Sequence, residues 1–337
     1  MKPRPLSAGL ALVLAASSLA LAGCGQASTE PTAGASDGQS DQVVIGVAVY
    51  VAHPSLQLIR DGFTDYLEEQ GVRATYKDSN AQADAANVAT IATTLAADAD
   101  LDLILAITTP IAQGIVAQVT DIPVVYAGVT DPAYAGLVQD NEGLTGTNVT
   151  GVSDLNPEAK PVALIQEIMP EVKTVGALYS SSEANSLVQV ESFEAEAEDL
   201  GITIKRVAVT NTNEIATAVA TMTDVDAILI PTDNTVVAGI EPVIAFGQNN
   251  HIPVFTIDAE TLSKGALASR GLSYYQHGRE AGRMAWEILV EGTPAGQVPT
   301  VVSRETQLYL NPDAATAFGV TLPANLLAEA QIVATTG

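Results

Sequence analysis

VVIGVAVY (Val43–Tyr50) and TVGALYSSSEANS (Thr174–Ser186) open two halves of one chain in the same way: an apolar strand that runs into a polar, helix-starting loop. The later blocks recur in the same order. DLILAITTP (Asp102–Pro110) and DIPVVYAGVTDP (Asp121–Pro132) in the first half correspond to DAILIPTDNT (Asp226–Thr235) and HIPVFTIDAE (His251–Glu260) in the second. Gly46 and Gly176 are 130 positions apart, and so are Pro123 and Pro253. Two half-chains built alike, each presenting polar loops at strand ends, predict a two-lobed molecule with a cleft between the lobes. Such an architecture suits binding.

Between these blocks strand and helix alternate, which predicts parallel sheets covered on both faces. Leu56, Ile59, Phe63, Tyr66 and Leu67 fall at helical spacing, with Pro54 near the start and Gly71 past the end. Val88, Ile91 and Leu95 mark a second helix, and Ile111, Ile115 and Val119 a third. Leu187, Val190 and Phe193 do the same in the second half, where Gly201 ends the helix. The fold class is α/β: two Rossmann-like lobes with parallel sheets flanked by helices, joined by a hinge. Lobe 1 is expected over 43–149 and lobe 2 over 150–270. A helix, Gln276–Glu291, brings the chain back to lobe 1 over 271–293, with Trp286 packed as core. The C-terminal segment 294–337, with a short strand Leu308–Leu310 and a last helix Leu326–Val333, is expected on lobe 2 and the hinge.

The first 23 residues read as an export signal rather than as part of the fold. Lys2 and Arg4 make a basic start, and Leu6–Leu21 is an apolar run too short to span a membrane comfortably. The run closes on Leu21-Ala22-Gly23-Cys24, which looks like a bacterial lipobox, with Cys24 as the lipid-attachment residue. Residues 24–42, rich in Gly, Ser, Ala, Thr and Asp, are expected to be a flexible tether. Cys24 is the one cysteine in the chain, so a disulfide framework and a multi-cysteine metal site are both excluded. Without Lys2 and Arg4 the formal net charge moves from −25 to −27. A body this acidic repels phosphate backbones, so nucleic acid is excluded as a partner.

In open α/β sheets ligands bind beyond the carboxyl ends of the strands. Six loops meet that condition: Tyr50–Ser55, Thr108–Pro110 and Gly128–Asp131 in the first half, Ser180–Asn185, Thr232–Thr235 and Asp258–Glu260 in the second. From them come the candidate ligand residues Tyr50, His53, Thr108, Thr109, Thr130, Asp131, Ser181, Ser182, Glu183, Asn185, Asp233, Asn234, Thr235 and Asp258. Helix capping accounts for part of this polarity, at Thr109 and Asn234 above all. Helix N-termini aimed into a cleft nevertheless hold anions well. The loops carry acids but no Lys or Arg, so a ligand carboxylate would meet N–H groups and hydroxyls. A ligand ammonium would pair with an acid, Asp233 or Glu183 first. That combination fits a zwitterion, an amino acid being the natural candidate, with Tyr50, Tyr126 or Tyr134 against its side chain.

His53 reads as the start of a helix turn, with a ligand contact as the second reading. No HExxH, GxSxG, Walker or GxGxxG pattern occurs, so neither a catalytic residue, a metal site nor a cofactor is expected.

From Val43 to about Pro323 the chain resembles the tryptophan/tyrosine-type substrate-binding proteins of ABC transporters, a branch of the type I periplasmic-binding fold. HPSL, AITTPIAQ, VTDPAYAGLV, NVTGVSD (Asn148–Asp154), LYSSSEANSLVQVE, PTDNTVVAG and KGALASRGLSYYQHG carry the resemblance. It implies a monomeric, lipid-anchored receptor on the outer face of the bacterial cytoplasmic membrane. Such a receptor closes on a small ligand by hinge motion and delivers it to an ABC permease, with aromatic amino acids leading. Two positions depart from the family pattern. Pro242 falls inside the helix expected after Asn234 and should kink or shorten it. Tyr134 stands where a smaller residue is usual and would narrow the pocket if it pointed inward. A receptor for a sugar, nucleoside or signalling molecule, and a surface-anchored enzyme, are the alternatives.

Overall fold

The computed structural model describes residues 42–156 and 158–336, so the expected signal, the tether and Cys24 lie outside the described residues. Five strands of the first half, β1 (Val43–Val49), β2 (Ala74–Asn80), β3 (Leu103–Ile107), β4 (Val124–Val129) and β5 (Val149–Ser153), pair in parallel in the order 2-1-3-4-5. The second half repeats that order, 7-6-8-9-10, with β6 (Thr174–Ser180), β7 (Thr203–Val209), β8 (Ala227–Ile230), β9 (Val254–Thr256) and β10 (Ala268–Gly271), again in parallel. The duplicated blocks therefore fold into duplicated sheets. β3, β4 and β8 are buried along their whole length, as parallel strands covered on both faces must be.

The chain leaves the first sheet after Ser153. Val124–Ala127 pair with Val149–Val152, so this strand completes the first sheet before the chain leaves it. The C-terminal segment divides between the two sheets. β11 (Val301–Val302) adds to the first sheet beside β5, whereas β12 (Gln307–Leu310) and β13 (Gln331–Ile332) extend the second, β12 running antiparallel to β10. The last helix spans Ala324–Glu329 only, because Gln331 and Ile332 are drawn into strand pairing. Three connections thus join the lobes: after β5, before the returning helix, and between β11 and β12.

Helices α1 (Pro54–Glu69), α2 (Ala85–Ala96) and α3 (Thr109–Val116) cover the first sheet. In the second half α4 (Pro161–Ile168), α5 (Ala184–Leu200) and α6 (Ile215–Val219) precede α7 (Asn234–Ala238) and α8 (Glu241–Asn250). The expected effect of Pro242 is visible here. The helix opened at Asn234 stops at Ala238, and Pro242 sits in the first turn of a new one, where its missing N–H costs nothing.

The returning helix, α9 (Tyr274–Leu289), packs tightly along α1, with Trp286 partly buried against the first-lobe core. Small residues permit the approach: a Cβ on Gly278 would collide with the Ile59 carbonyl, and one on Gly62 with the Tyr275 carbonyl. Both obstacles are backbone and cannot turn aside. Gly278→Ala is therefore expected to destabilise the protein by about 2–3 kcal/mol, measured by urea unfolding. An unchanged midpoint would show that the two helices slide apart freely.

Candidate functional site

The carboxyl ends of the two sheets face each other, and side chains from both lobes meet there. Ser55 at the start of α1 donates its Oγ hydrogen across the cleft to Asp258 Oδ2 at 2.5 Å. His53 Nδ1 lies 4.0 Å from the same oxygen. Around them His53, Leu56 and Gly128 from lobe 1 and Asp233, Asn234 and Val237 from lobe 2 enclose a small cavity, with Asp154, Thr232, Asp258 and Tyr274 completing the wall. Its volume is about 10 Å³, room for about one water. The lobes are shut on one another.

Several polar atoms at this junction are buried without a hydrogen-bond partner: His53 Nδ1, Asp154 Oδ1 and the hydroxyls of Thr108, Thr109 and Thr130. Buried polar groups are normally paired, so a concentration of unpaired ones marks a place where a ligand supplies the partners. Thr108 adds a second sign. It holds φ 91° as the residue before α3, a conformation costly for a β-branched side chain, and makes no side-chain cap. The N-terminus of α3 is thus left free beside two unpaired hydroxyls.

The acids have unequal roles. Glu183 is fully buried, and its two carboxylate oxygens accept five hydrogen bonds: Asn185 Nδ2 at 3.1 Å, Asn234 N at 3.2 Å, Asn234 Nδ2 at 2.6 Å, Thr235 N at 2.9 Å and Thr235 Oγ1 at 2.7 Å. Asp233 caps α7 through Val236 N (2.7 Å), and its other oxygen takes Ser180 N (2.5 Å) and Ser186 Oγ (2.6 Å). Burial, then the charge of Glu183, raise the Asp233 carboxyl well above the usual carboxylate range. Both acids expected to meet an ammonium are therefore saturated by the scaffold of lobe 2. Capping at α7 falls to Asp233 rather than Asn234.

Asp154, directly after β5, is the carboxylate left open. Its Oδ2 accepts from the Tyr274 hydroxyl at 3.4 Å, while Oδ1 completes no hydrogen bond of normal geometry. Burial pushes its carboxyl up to about 6, with the Thr130 and Tyr274 hydroxyls pulling the other way. Burial also lowers the His53 imidazole, against the opposing pull of Asp258.

Other expected site residues lie elsewhere. Asp131 accepts from Tyr134 N and Asn141 Nδ2, both at 2.9 Å, and stitches its own loop. Ser181 and Ser182 are exposed on the rim; Ser182 Oγ pairs with Ser180 Oγ. Asn185 is buried, donating to Thr232 O at 2.7 Å, and its Oδ1 is unpaired. Tyr50 donates to Ala83 O at 3.2 Å, and burial followed by Glu183 and Asp233 raises its phenol to about 12. Tyr126 is core, and Tyr134, 52% exposed, does not narrow the cavity. The tyrosine in the wall is Tyr274, which lies outside the six loops expected to form the cleft. Among the described residues no group of three or more His, Cys, Asp or Glu side chains is placed to hold a metal.

Two matching α/β lobes closed over a polar, partly unsatisfied cavity define a solute-binding protein. The chain belongs to the ABC transporter substrate binding protein family, whose model matches residues 44–334. It is 34% identical over 278 residues to a tyrosine-binding protein of Clostridioides difficile (strain R20291), covering 80% of this chain and 79% of the relative. Among solved structures it is similar to an ABC domain in complex with L-Trp from Streptococcus pneumonia, with TM-score 0.83 and 40% identity over 87% of this chain and all of that one. A ligand-free, open substrate-binding protein with adhesive properties from Clostridium difficile gives TM-score 0.66 at 34% identity, over 87% of this chain and all of that one. The better fit to the ligand-bound form accords with the direct bond between Ser55 and Asp258. Among the described residues no helix is long and apolar enough to cross a membrane.

Proposed function

We propose that this substrate-binding protein captures an amino acid, an aromatic one first, between its lobes by hinge closure and delivers it to an ABC permease. It would do so as a lipoprotein attached through Cys24 to the outer face of the cytoplasmic membrane, as a monomer. The observation that carries the ligand reading is Asp154, a buried carboxylate with one oxygen open at a junction whose cavity wall has no Lys or Arg. It suits an α-ammonium. The free N-terminus of α3, with the Thr108 and Thr109 hydroxyls, suits the α-carboxylate. Closure is favoured because the ligand touches both lobes only when they are shut.

A catalytic role is not assigned. The family and the relatives that match are described as substrate-binding, which supports a binding role. Relatives that bind tyrosine or tryptophan support the aromatic choice.

A thermal-shift panel tests the reading. Tryptophan, tyrosine or phenylalanine at about 100 times Kd should raise the melting temperature by about 5 °C, with sugars and nucleosides without effect. A rise with a sugar or nucleoside alone would discard the amino-acid assignment.

A further inference from the structure

His277, in the first turn of α9, is buried behind the cavity wall. It follows the second connection between the lobes, and its ring reaches the flanks of the other two. Nε2 meets Gly128 N at 2.9 Å and Val152 O at 3.1 Å, and Nδ1 meets Ser303 Oγ at 3.0 Å. Val152 lies near the end of β5, just before the first connection. Ser303 directly follows β11, and its N–H donates to Ser153 O at 2.9 Å. One imidazole thus ties all three connections together at their lobe-1 ends.

Gly128 explains why a ring nitrogen is needed there. The β4–β5 ladder pairs Ala127 with Val152 and then Val129 with Ser153, so Gly128 is an extra residue, bulged out of the pairing at φ 64°. Its N–H turns to the imidazole instead of to β5. An amide N–H can only donate, so Nε2 carries the lone pair and the proton sits on Nδ1, donating to Ser303 Oγ. Burial lowers the imidazole to about 4, with Val152 O pulling the other way, so the ring is neutral at pH 7. Gly128 itself lines the closed cavity together with Asp154 and Tyr274.

We infer that His277 is a positioning residue for ligand capture: it holds the Gly128 bulge in one geometry and fastens that part of the cavity wall to the third connection at Ser303. The inference rests on the receptor reading above and deepens it. Without an acceptor at Nε2 the buried Gly128 N–H is unpaired, and the bulge loses what keeps it in a single conformation. The ligand must then find the fraction of molecules in which the wall is formed. That fraction scales the association rate and the affinity alike, and leaves dissociation from the closed form unchanged. A side chain that only filled the core would lower stability and leave both rates alone.

The test compares association and dissociation rates, measured by stopped flow, for whichever of tryptophan, tyrosine and phenylalanine binds the wild type most tightly. The variants are His277→Gln, His277→Asn and His277→Leu. A glutamine amide oxygen reaches the position of Nε2, an asparagine amide only that of Nδ1, and leucine replaces neither. The asparagine and leucine variants are expected to bind about tenfold more weakly, through slower association, while the glutamine variant stays within about threefold of the wild type. Equal affinities in all four proteins, or a glutamine variant as weak as the leucine one, would overturn the role of His277 and leave the receptor standing. A wild type that binds none of the three amino acids would overturn the receptor reading, and the role of His277 in capture with it. Should the asparagine and leucine variants fail to fold, the wild type still decides. In nitrogen NMR spectra of protein with labelled histidines, the His277 ring, assigned by its loss in the glutamine variant, is expected to carry its proton on Nδ1 at pH 7. A proton on Nε2 would leave Gly128 without an acceptor and overturn the inference.

Discussion

Replacing Asp154 by Asn is expected to weaken amino-acid capture by about 30-fold to several thousandfold at pH 7.5, the cost of removing one partner from a buried charge pair being about 2–5 kcal/mol. The pH dependence identifies the cause. Burial holds this carboxyl at about 6 in the closed form, so there it is ionised above that pH and protonated below it. An ammonium pairs with the carboxylate alone. Wild-type affinity should accordingly be full above about pH 7 and fall about tenfold per unit once pH drops below 6, while the Asn variant follows a flatter profile. His53 acts in the same direction. Its imidazole is depressed by burial in the closed form, so acidification protonates it preferentially when the lobes are open and works against closure. Titrations at pH 5, 6 and 7.5 separate the two, because Asp154→Asn removes only the carboxylate's share.

Stability should move the opposite way. A carboxyl whose folded value is raised from 3.8 to about 6 binds protons more tightly folded than unfolded. Its ionisation therefore costs stability above pH 6, roughly 3 kcal/mol, and that cost fades as pH falls toward 4. The unliganded Asn variant is expected to melt higher than wild type at pH 7.5 and close to it near pH 4. A variant that loses both affinity and stability at pH 7.5 would mean that Asp154 is a structural group rather than a ligand group.

The parts of the molecule legible in the sequence are those the chain writes twice. β1, β3 and β4 recur as β6, β8 and β9 at a spacing of about 130, and the loops after them are readable as the walls of a cleft. Asp154 and Tyr274 escape that reading for a physical reason. They stand on connections between the lobes, which belong to neither repeat: β5 and β10 are 119 positions apart, and the segments after these strands lead out of each lobe. Local signals exist, an acid directly after a buried strand and a tyrosine opening α9, but nothing in one dimension says that the two meet. The reverse error concerns Glu183 and Asp233. Sequence places both acids in the right loops and cannot tell an acid that awaits an ammonium from one already surrounded by donors.

That distinction sets the last expected result. Glu183→Ala should cost about 3–5 kcal/mol and lower the melting temperature by about 6–20 °C in the absence of any ligand. The Thr235 N–H and the Asn234 amide would be left buried without an acceptor, and Thr235 Oγ1 would lose its partner. The loops before α5 and α7 would also lose their common anchor. Glu183→Gln should recover little: its single oxygen replaces one acceptor, and its amide N–H₂ would face donors at the other. Had Glu183 been the ammonium partner, the outcome would reverse. Removing it would relieve the like charge that presses on Asp233, spare or raise the unliganded melting temperature, and abolish binding. Melting curves of the unliganded variants, read before any titration, decide between an acid that builds the wall of the site and one that receives the ligand.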